Sequence, residues 1–413
     1  MPQRMTNSGR RWAIFLSAAT LASRLGMASA GALEWDDAMN AAERAWNESR
    51  YSEAEEFLRT AVEEAKKFAP GDRRLDVSFS SLATVLYSQG KYDEAERSYL
   101  QAVAILEKTL GLGHLRVAES LTGLATVYQM HGKYKEAESF FERSLAIREK
   151  VLGPEHPDVA TSFSNLGTLY NSEGKSARAE VYYRRALAVL EKVYGPDHIA
   201  VASTLNNLGI LYSSQGDLVE AERLLKRSLR IREAAHGPVH GDVAGSLDNL
   251  AALYNSQGKP VDAERLLKRA LVIQEAVRGP GHPDVAVTLG HLAASYEAQG
   301  RPAEAAPLIQ RSLVIWEKAL GPEDRRVAET LSSLARNCAA EGRYAEAEPL
   351  LKRSLAILEK TRGPKAPELV MELERYASLL RKMSRNAAAT EIEARAEAIR
   401  AEHPTASLPR RAK

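Results

Sequence analysis

The chain has 413 residues, 45% of them apolar, 27% charged and only 6% aromatic, with a formal net charge of +2. The apolar share excludes a wholly disordered chain, and its even, alanine- and leucine-rich composition argues for helices in one continuous architecture over several separately built domains. The positive charge comes from Arg4, Arg10, Arg11 and Arg24 in residues 1–30; without them 52 basic residues face 54 acidic ones, which leaves no clustered basic excess to bind nucleic acid.

Residues 1–30 have the layout of an export signal. A basic start ends at Arg10-Arg11, an apolar stretch runs from Trp12 to Ala22, and Ala28-Ser29-Ala30 places the expected cleavage after Ala30. Arg24 interrupts the region before that point, so an N-terminal tail or lead-in helix is the competing reading. Arg10-Arg11 ahead of Trp12-Ala13-Ile14-Phe15-Leu16 also resembles a twin-arginine signal. The expected location is therefore exported, periplasmic or extracellular, if the signal operates, and cytoplasmic otherwise. No segment offers the ~18 uninterrupted apolar residues of a stable membrane span.

From there the chain repeats itself every 42 residues. Gly90, Gly132, Gly174, Gly216, Gly258, Gly300 and Gly342 mark the period, and Ala95, Ala137, Ala179, Ala221, Ala263, Ala305 and Ala347 fall on the same register. In one unit, Pro157 suits a first helical position, and Val159, Phe163, Leu166, Gly167 and Tyr170 form the apolar stripe of a first helix, A. Gly174-Lys175 breaks the pattern as a left-handed cap does. Ala179, Tyr182, Tyr183, Ala186, Leu187 and Leu190 then form the stripe of an antiparallel second helix, B. A lone helix pair leaves half its apolar surface wet, so pairs must stack.

The expected fold is all-α: a right-handed superhelical solenoid of about nine antiparallel helix pairs. Its segments are a degenerate N-terminal capping repeat over 31–72, seven 42-residue repeats over 73–366, a capping helix pair over 367–402 and a disordered tail over 403–413.

The order Leu166, Gly167, Tyr170, Ala179, Tyr183 and Ala186 resembles the tetratricopeptide repeat, and the resemblance covers roughly residues 34–402. The common unit of that family is about 34 residues, here lengthened by roughly eight in helix B and the following loop. NLGTLYNSEGK at 165–175 and LGPEHPDVA at 152–160 are similar to the repeats of kinesin light chains and their bacterial relatives. The kinesin coiled coil and cargo tail have no counterpart in these residues, so only the module carries over.

The resemblance implies a protein-binding module that holds an extended peptide or helix in a concave groove lined by the A helices, with an asparagine near each A-helix centre bonding the ligand backbone. Asn165, Asn207 and Asn249 match that position in three consecutive repeats, whereas Gly123, His291 and Ser333 depart from it. Asn206, Asp248, Asn171 and Asn255 share the face. The alternative role of these amides is to bond adjacent A helices to one another, and both roles can hold. The groove face is small and polar, with Thr161, Ser164, Thr168, Ser203, Ser213, Ser214 and Ser256, and lacks the basic set that clamps a free C-terminal carboxylate.

Other apparent signals read as structural. His114, His156, His198, His240 and His282 recur at 42 residues, but equivalent atoms of stacked pairs lie roughly 8–10 Å apart against metal bonds of about 2 Å. Each is expected to cap or pack the loop before an A helix, and His236 meets His240 in one loop only. Glu173-Gly174-Lys175-Ser176 lacks the earlier glycine of a phosphate-binding loop. Cys338, the single cysteine, holds the register position of Tyr170 and reads as a packed thiol that excludes a disulfide or thiolate zinc site.

Arg143, Arg185, Arg227, Arg269, Arg311 and Arg353 form a basic row on the B helices, expected to pair with Glu149, Glu191, Glu233, Glu275, Glu317 and Glu359 of neighbouring units. Together these readings point to a non-catalytic interaction scaffold or adaptor, monomeric, with no cofactor, no metal and no nucleic-acid partner. Its alternatives are an architectural self-assembling repeat protein, or an enzyme built from groove residues.

Overall fold

A computed structural model describes residues 30–48, 50–69 and 71–403. The expected export signal, apart from Ala30, and the expected disordered tail, apart from His403, lie outside the described residues. Eighteen α-helices and no strand occur among them. The first ten are α1 (Ala30–Asn47), α2 (Tyr51–Ala65), α3 (Arg73–Ser88), α4 (Tyr92–Leu110), α5 (Leu115–Met130), α6 (Tyr134–Leu152), α7 (Pro157–Ser172), α8 (Ser176–Tyr194), α9 (Ile199–Gln215) and α10 (Leu218–His236). The other eight are α11 (Gly241–Ser256), α12 (Pro260–Arg278), α13 (Pro283–Ala298), α14 (Pro302–Leu320), α15 (Arg325–Ala340), α16 (Tyr344–Arg362), α17 (Leu369–Lys382) and α18 (Asn386–Glu402). Odd-numbered helices are A helices and even-numbered ones B helices, which gives nine pairs.

Helix boundaries follow from capping chemistry. The Nδ1 atoms of His114, His156 and His198 accept the backbone N–H two residues on at 3.2, 3.1 and 3.2 Å, and Asp72 and Asp324 fill the same position with carboxylate bonds of 2.8 Å. An acceptor is what an A helix needs there, because its first amides have no partner inside the helix. The A helices α3, α5, α7, α9, α11, α13 and α15 stop at a glycine with positive φ, as at Gly174 (φ 80°), whose successor Lys175 bonds back to the Tyr170 carbonyl at 2.8 Å. In the ninth pair Ser384 stands at this position with φ 60° and makes the same bonds.

The contacts divide the chain into two compact units, one ending at Asn249 and one starting at Leu250, within α11. In the first unit α1–α2, α3–α4, α5–α6, α7–α8 and α9–α10 pack as pairs, and successive pairs meet through α2–α3, α4–α5, α6–α7 and α8–α9. A helices also touch one another, α3 against α5 and α7 against α9. In the second unit α13–α14, α15–α16 and α17–α18 form pairs joined through α12–α13, α14–α15 and α16–α17.

The interiors are chiefly leucine, alanine and valine with aromatic anchors. Leu121, Leu124, Leu166, Leu169, Leu205 and Leu211 are fully buried, as are Tyr170 and Tyr183, and the register alanines from Ala95 to Ala347 have no exposed surface. Gly167 lies so close to helix B that an added Cβ would stand 2.7 Å from the Tyr183 ring. That approach lets the Tyr183 hydroxyl reach Thr168 at 3.0 Å across the pair. Helix B is further tied to helix A by buried serines: Ser144, Ser228, Ser312 and Ser354 donate to the carbonyls of Ala118, Ala202, Ala286 and Ala328 at 2.7–2.9 Å.

At the N-terminal end, Trp35 of α1 is buried and its indole N–H donates to Ser78 of α3 at 2.8 Å. At the other end Ile399 of α18 closes the second unit's core. No described helix is long and apolar enough to cross a membrane.

Candidate binding face

The A-helix face is set by the residues one turn away from the core stripe. Asn165 sits in α7 beside buried Leu166, Asn207 in α9 beside buried Leu208, and Asn249 in α11, so the 42-residue register carries the three amides to equivalent places. Their surroundings are not equivalent. The Asn249 Nδ2 donates to the Asn206 Oδ1 of the preceding A helix at 2.9 Å. In the second unit Asn255 of α11 bonds the Ser295 hydroxyl of α13 at 2.9 Å. These two amides therefore do what the alternative reading assigned them, lacing adjacent A helices.

Asn165 and Asn207 differ. No hydrogen bond to either side-chain amide occurs among the described residues, although Asn165 is only 6% exposed. Asn171 is half-buried nearly two turns further along α7, and Asp248 is buried next to Asn249. The hydroxyls of Ser164 and Thr204, 3.4 Å apart, line the floor between α7 and α9. One repeat earlier, Gly123 replaces the asparagine for a visible reason: an added Cβ there would stand 2.4 Å from the Tyr99 ring. Tyr99 occupies the space that a longer side chain would need.

The B-helix charge row proves to be a ladder of cross-pair ion pairs. Arg143, Arg227, Arg311, Arg353 and Arg395 meet Glu107, Glu191, Glu275, Glu317 and Glu359 at 2.5–2.7 Å, each pairing with the preceding helix B. Arg185 lies over the Phe163 ring instead, 4.0 Å from its centroid. A second set of stitches joins helix A to the preceding helix B. The Tyr128, Tyr170 and Tyr212 hydroxyls donate to Glu96, Glu138 and Glu180 at 2.8, 2.5 and 2.9 Å. Burial together with those carboxylates pushes the Tyr128 hydroxyl up to about 12 and that of Tyr170 higher still.

One charged cluster on the A-helix side escaped the sequence reading. Asp76 of α3 is 4% exposed and pairs with Arg116 of α5. Burial outweighs the arginine and pushes its carboxyl up to about 6. The Glu119 carboxyl is also raised, by desolvation against the opposing pull of Arg148 and Arg116, although its side chain stays exposed at the surface. The available signal was a break in register: Asp76 stands where Ala118, Ala160, Ala202, Ala244, Ala286 and Ala328 stand in later units.

Cys338 is buried in α15 with its thiol pushed up by desolvation, the state of a packed side chain and not of a nucleophile. Lys175 of the apparent phosphate-loop tetrad pairs with Glu173 at 2.5 Å in the helix-ending turn.

The tetratricopeptide repeat family model matches residues 38–108, 74–150, 117–192, 158–234, 242–318, 285–360 and 326–402, nearly the whole described chain. Among solved structures, BtubC (BKLC) from P. vanneervenii is 28% identical over 61% of this chain and 94% of its own, with a TM-score of 0.43. A kinesin light chain with nearly identical repeats from Podospora anserina, described as putative, is 27% identical over 50% of this chain and 97% of its own, with a TM-score of 0.41. The apo form of RapI, at 14% identity and a TM-score of 0.51 over 69% of this chain and 98% of its own, shares the fold. No curated protein matches the chain.

Proposed function

The chain belongs to the tetratricopeptide repeat family, whose modules serve as protein-interaction scaffolds, and we propose that this one is a non-catalytic adaptor that holds an extended peptide segment of a partner protein across α7 and α9. In this reading the Asn165 and Asn207 amides bond the peptide backbone, with the small hydroxyls between them leaving room for the chain. The observation that carries it is the contrast within one register. Asn249 has spent its amide on Asn206, whereas Asn165 and Asn207 hold theirs without an internal partner among the described residues. Each partly withdrawn amide keeps its hydrogen-bonding capacity for a ligand, and a peptide backbone supplies both the donor and the acceptor it can use.

The B-helix face is a weaker candidate for acidic partners, because Arg143, Arg227, Arg311, Arg353 and Arg395 are already paired with glutamates. A catalytic reading would rest on Asp76 and Glu119, but the Asp76 carboxylate is covered by Arg116 and withdrawn from solvent. The proposed adaptor acts as an exported monomer. Tagged full-length chain crosslinked before lysis tests both parts. A mature N-terminus at Gly31, a monomer mass by light scattering, and a crosslinked partner lost in the Asn165→Ala/Asn207→Ala variant support the proposal. A partner retained by that folded variant contradicts the binding face, and an intact Met1 contradicts export.

A further inference from the structure

The turn between α10 and α11 differs from the other inter-pair turns. His236 ends α10, Gly237-Pro238 reverse the chain, His240 precedes α11 and Asp242 opens its first turn. The imidazole rings of His236 and His240 are stacked with centroids 4.1 Å apart. The His236 Nε2 lies 3.7 Å and the His240 Nδ1 3.9 Å from the Asp242 Oδ2, and the three ligand atoms all lie within 4.8 Å of one another. We propose that this turn is a site for one borderline divalent metal ion, Zn2+ in the first instance, ligated by His236, His240 and Asp242.

Distance and chemistry both favour it. Two ligand atoms on one tetrahedral zinc with bonds of about 2.1 Å sit about 3.4 Å apart, so each imidazole nitrogen closes on the Asp242 oxygen by about half an ångström or less and the two imidazole nitrogens, within 4.8 Å of one another, by at most about 1.4 Å. Two imidazoles and a carboxylate suit zinc over calcium or magnesium. At the corresponding place in the α12–α13 turn the first histidine is replaced by Arg278, whose Nε lies 3.2 Å from the Asp284 Oδ2. That position beside the carboxylate holds a positive charge there, and in the α10–α11 turn an imidazole nitrogen stands in its place. Elsewhere the position is Leu110, Leu152, Leu320, Tyr194 or Arg362, none of which is a metal ligand.

Three features set the affinity. Arg232, buried beneath the turn, donates to the Asp242 carbonyl at 3.2 Å and to the Ser246 hydroxyl at 2.7 Å, which fixes the start of α11. Its charge and the α11 N-terminus oppose a cation. The His240 Nδ1 also accepts the Asp242 amide at 3.2 Å, a long bond that metal binding would displace. Micromolar binding follows, with one coordination position left for water or for a side chain of a partner.

The test uses the full-length chain, stripped with chelator and titrated with ZnCl2 in a competing-dye assay, and with CoCl2 for its visible ligand-field absorption. The expected result is one equivalent of Zn2+ at micromolar Kd. Affinity falls at least tenfold in His236→Leu, the residue three other turns carry, and in His240→Asn, which keeps a capping acceptor but loses the imidazole. Cys338→Ser and His131→Gln remove the other ligand sources and leave binding unchanged. Absence of Zn2+ binding by the stripped wild type, or affinity preserved in both His236→Leu and His240→Asn, overturns the proposal.

Discussion

Three side chains decide local stability in ways that can be measured. Gly167→Ala pushes a methyl into the Tyr183 ring, and overpacking of this kind costs about 1–3 kcal/mol. Urea unfolding should show that loss, while Gly174→Ala should lose about 1–2 kcal/mol for a different reason, the left-handed backbone. Ser384→Gly should move in the opposite direction, because Ser384 is the one non-glycine residue with positive φ among the described residues.

Asp76 gives a pH signature. Its folded pKa of about 6 lies above its ordinary 3.8, so the folded state binds the proton more tightly. The stability this contributes is fully present below pH 4 and is lost as pH rises through 6, at most about 3 kcal/mol for roughly two units at 1.36 each. Unfolding curves from pH 4 to 7 should show the wild type losing stability relative to Asp76→Asn across that window. Parallel curves would mean that the buried pair with Arg116 compensates the desolvation.

At the level of helices and turns, the sequence was readable because each boundary has a chemical marker that repeats. The register glycines end the A helices with the left-handed geometry expected of them, and the histidine row caps A helices. His156→Ala should cost about 1 kcal/mol of stability and His156→Asp should be neutral or stabilising, since Asp72 and Asp324 do the same work with shorter bonds. The arginine row was likewise legible, because its period matched that of the glutamates it meets. Exposed pairs of this kind are worth under about 1 kcal/mol, so Arg353→Gln should barely shift the thermal midpoint while Leu205→Ala lowers stability by about 2–5 kcal/mol.

Less was legible where the register breaks. Asp76, in an alanine column, and His236, in a leucine column, each build a cluster that depends on residues forty or four positions away. Periodicity averages over such single departures. The three asparagines illustrate the converse limit, since identical register made them look alike, and only the pairing of Asn249 with Asn206 separates the committed amide from the two available ones.

Among the described helix pairs the recurring construction is a buried register alanine within the pair, serine bonds from helix B to helix A in four of them, and arginine–glutamate ties between successive B helices. An interior of this kind is satisfied by nearest neighbours, which frees the A-helix face to vary from repeat to repeat. That variation is where partner choice resides in our account, and it concentrates the claim on α7 and α9. The most direct test is titration of display-selected unstructured peptides into the purified chain, with Kd compared across single and double variants. The account expects Asn165→Ala/Asn207→Ala to weaken binding at least tenfold with an unchanged melting temperature, and Asn249→Ala to change it less than twofold. Equal affinity for wild type and the double variant, or a loss centred on Asn249, would contradict it.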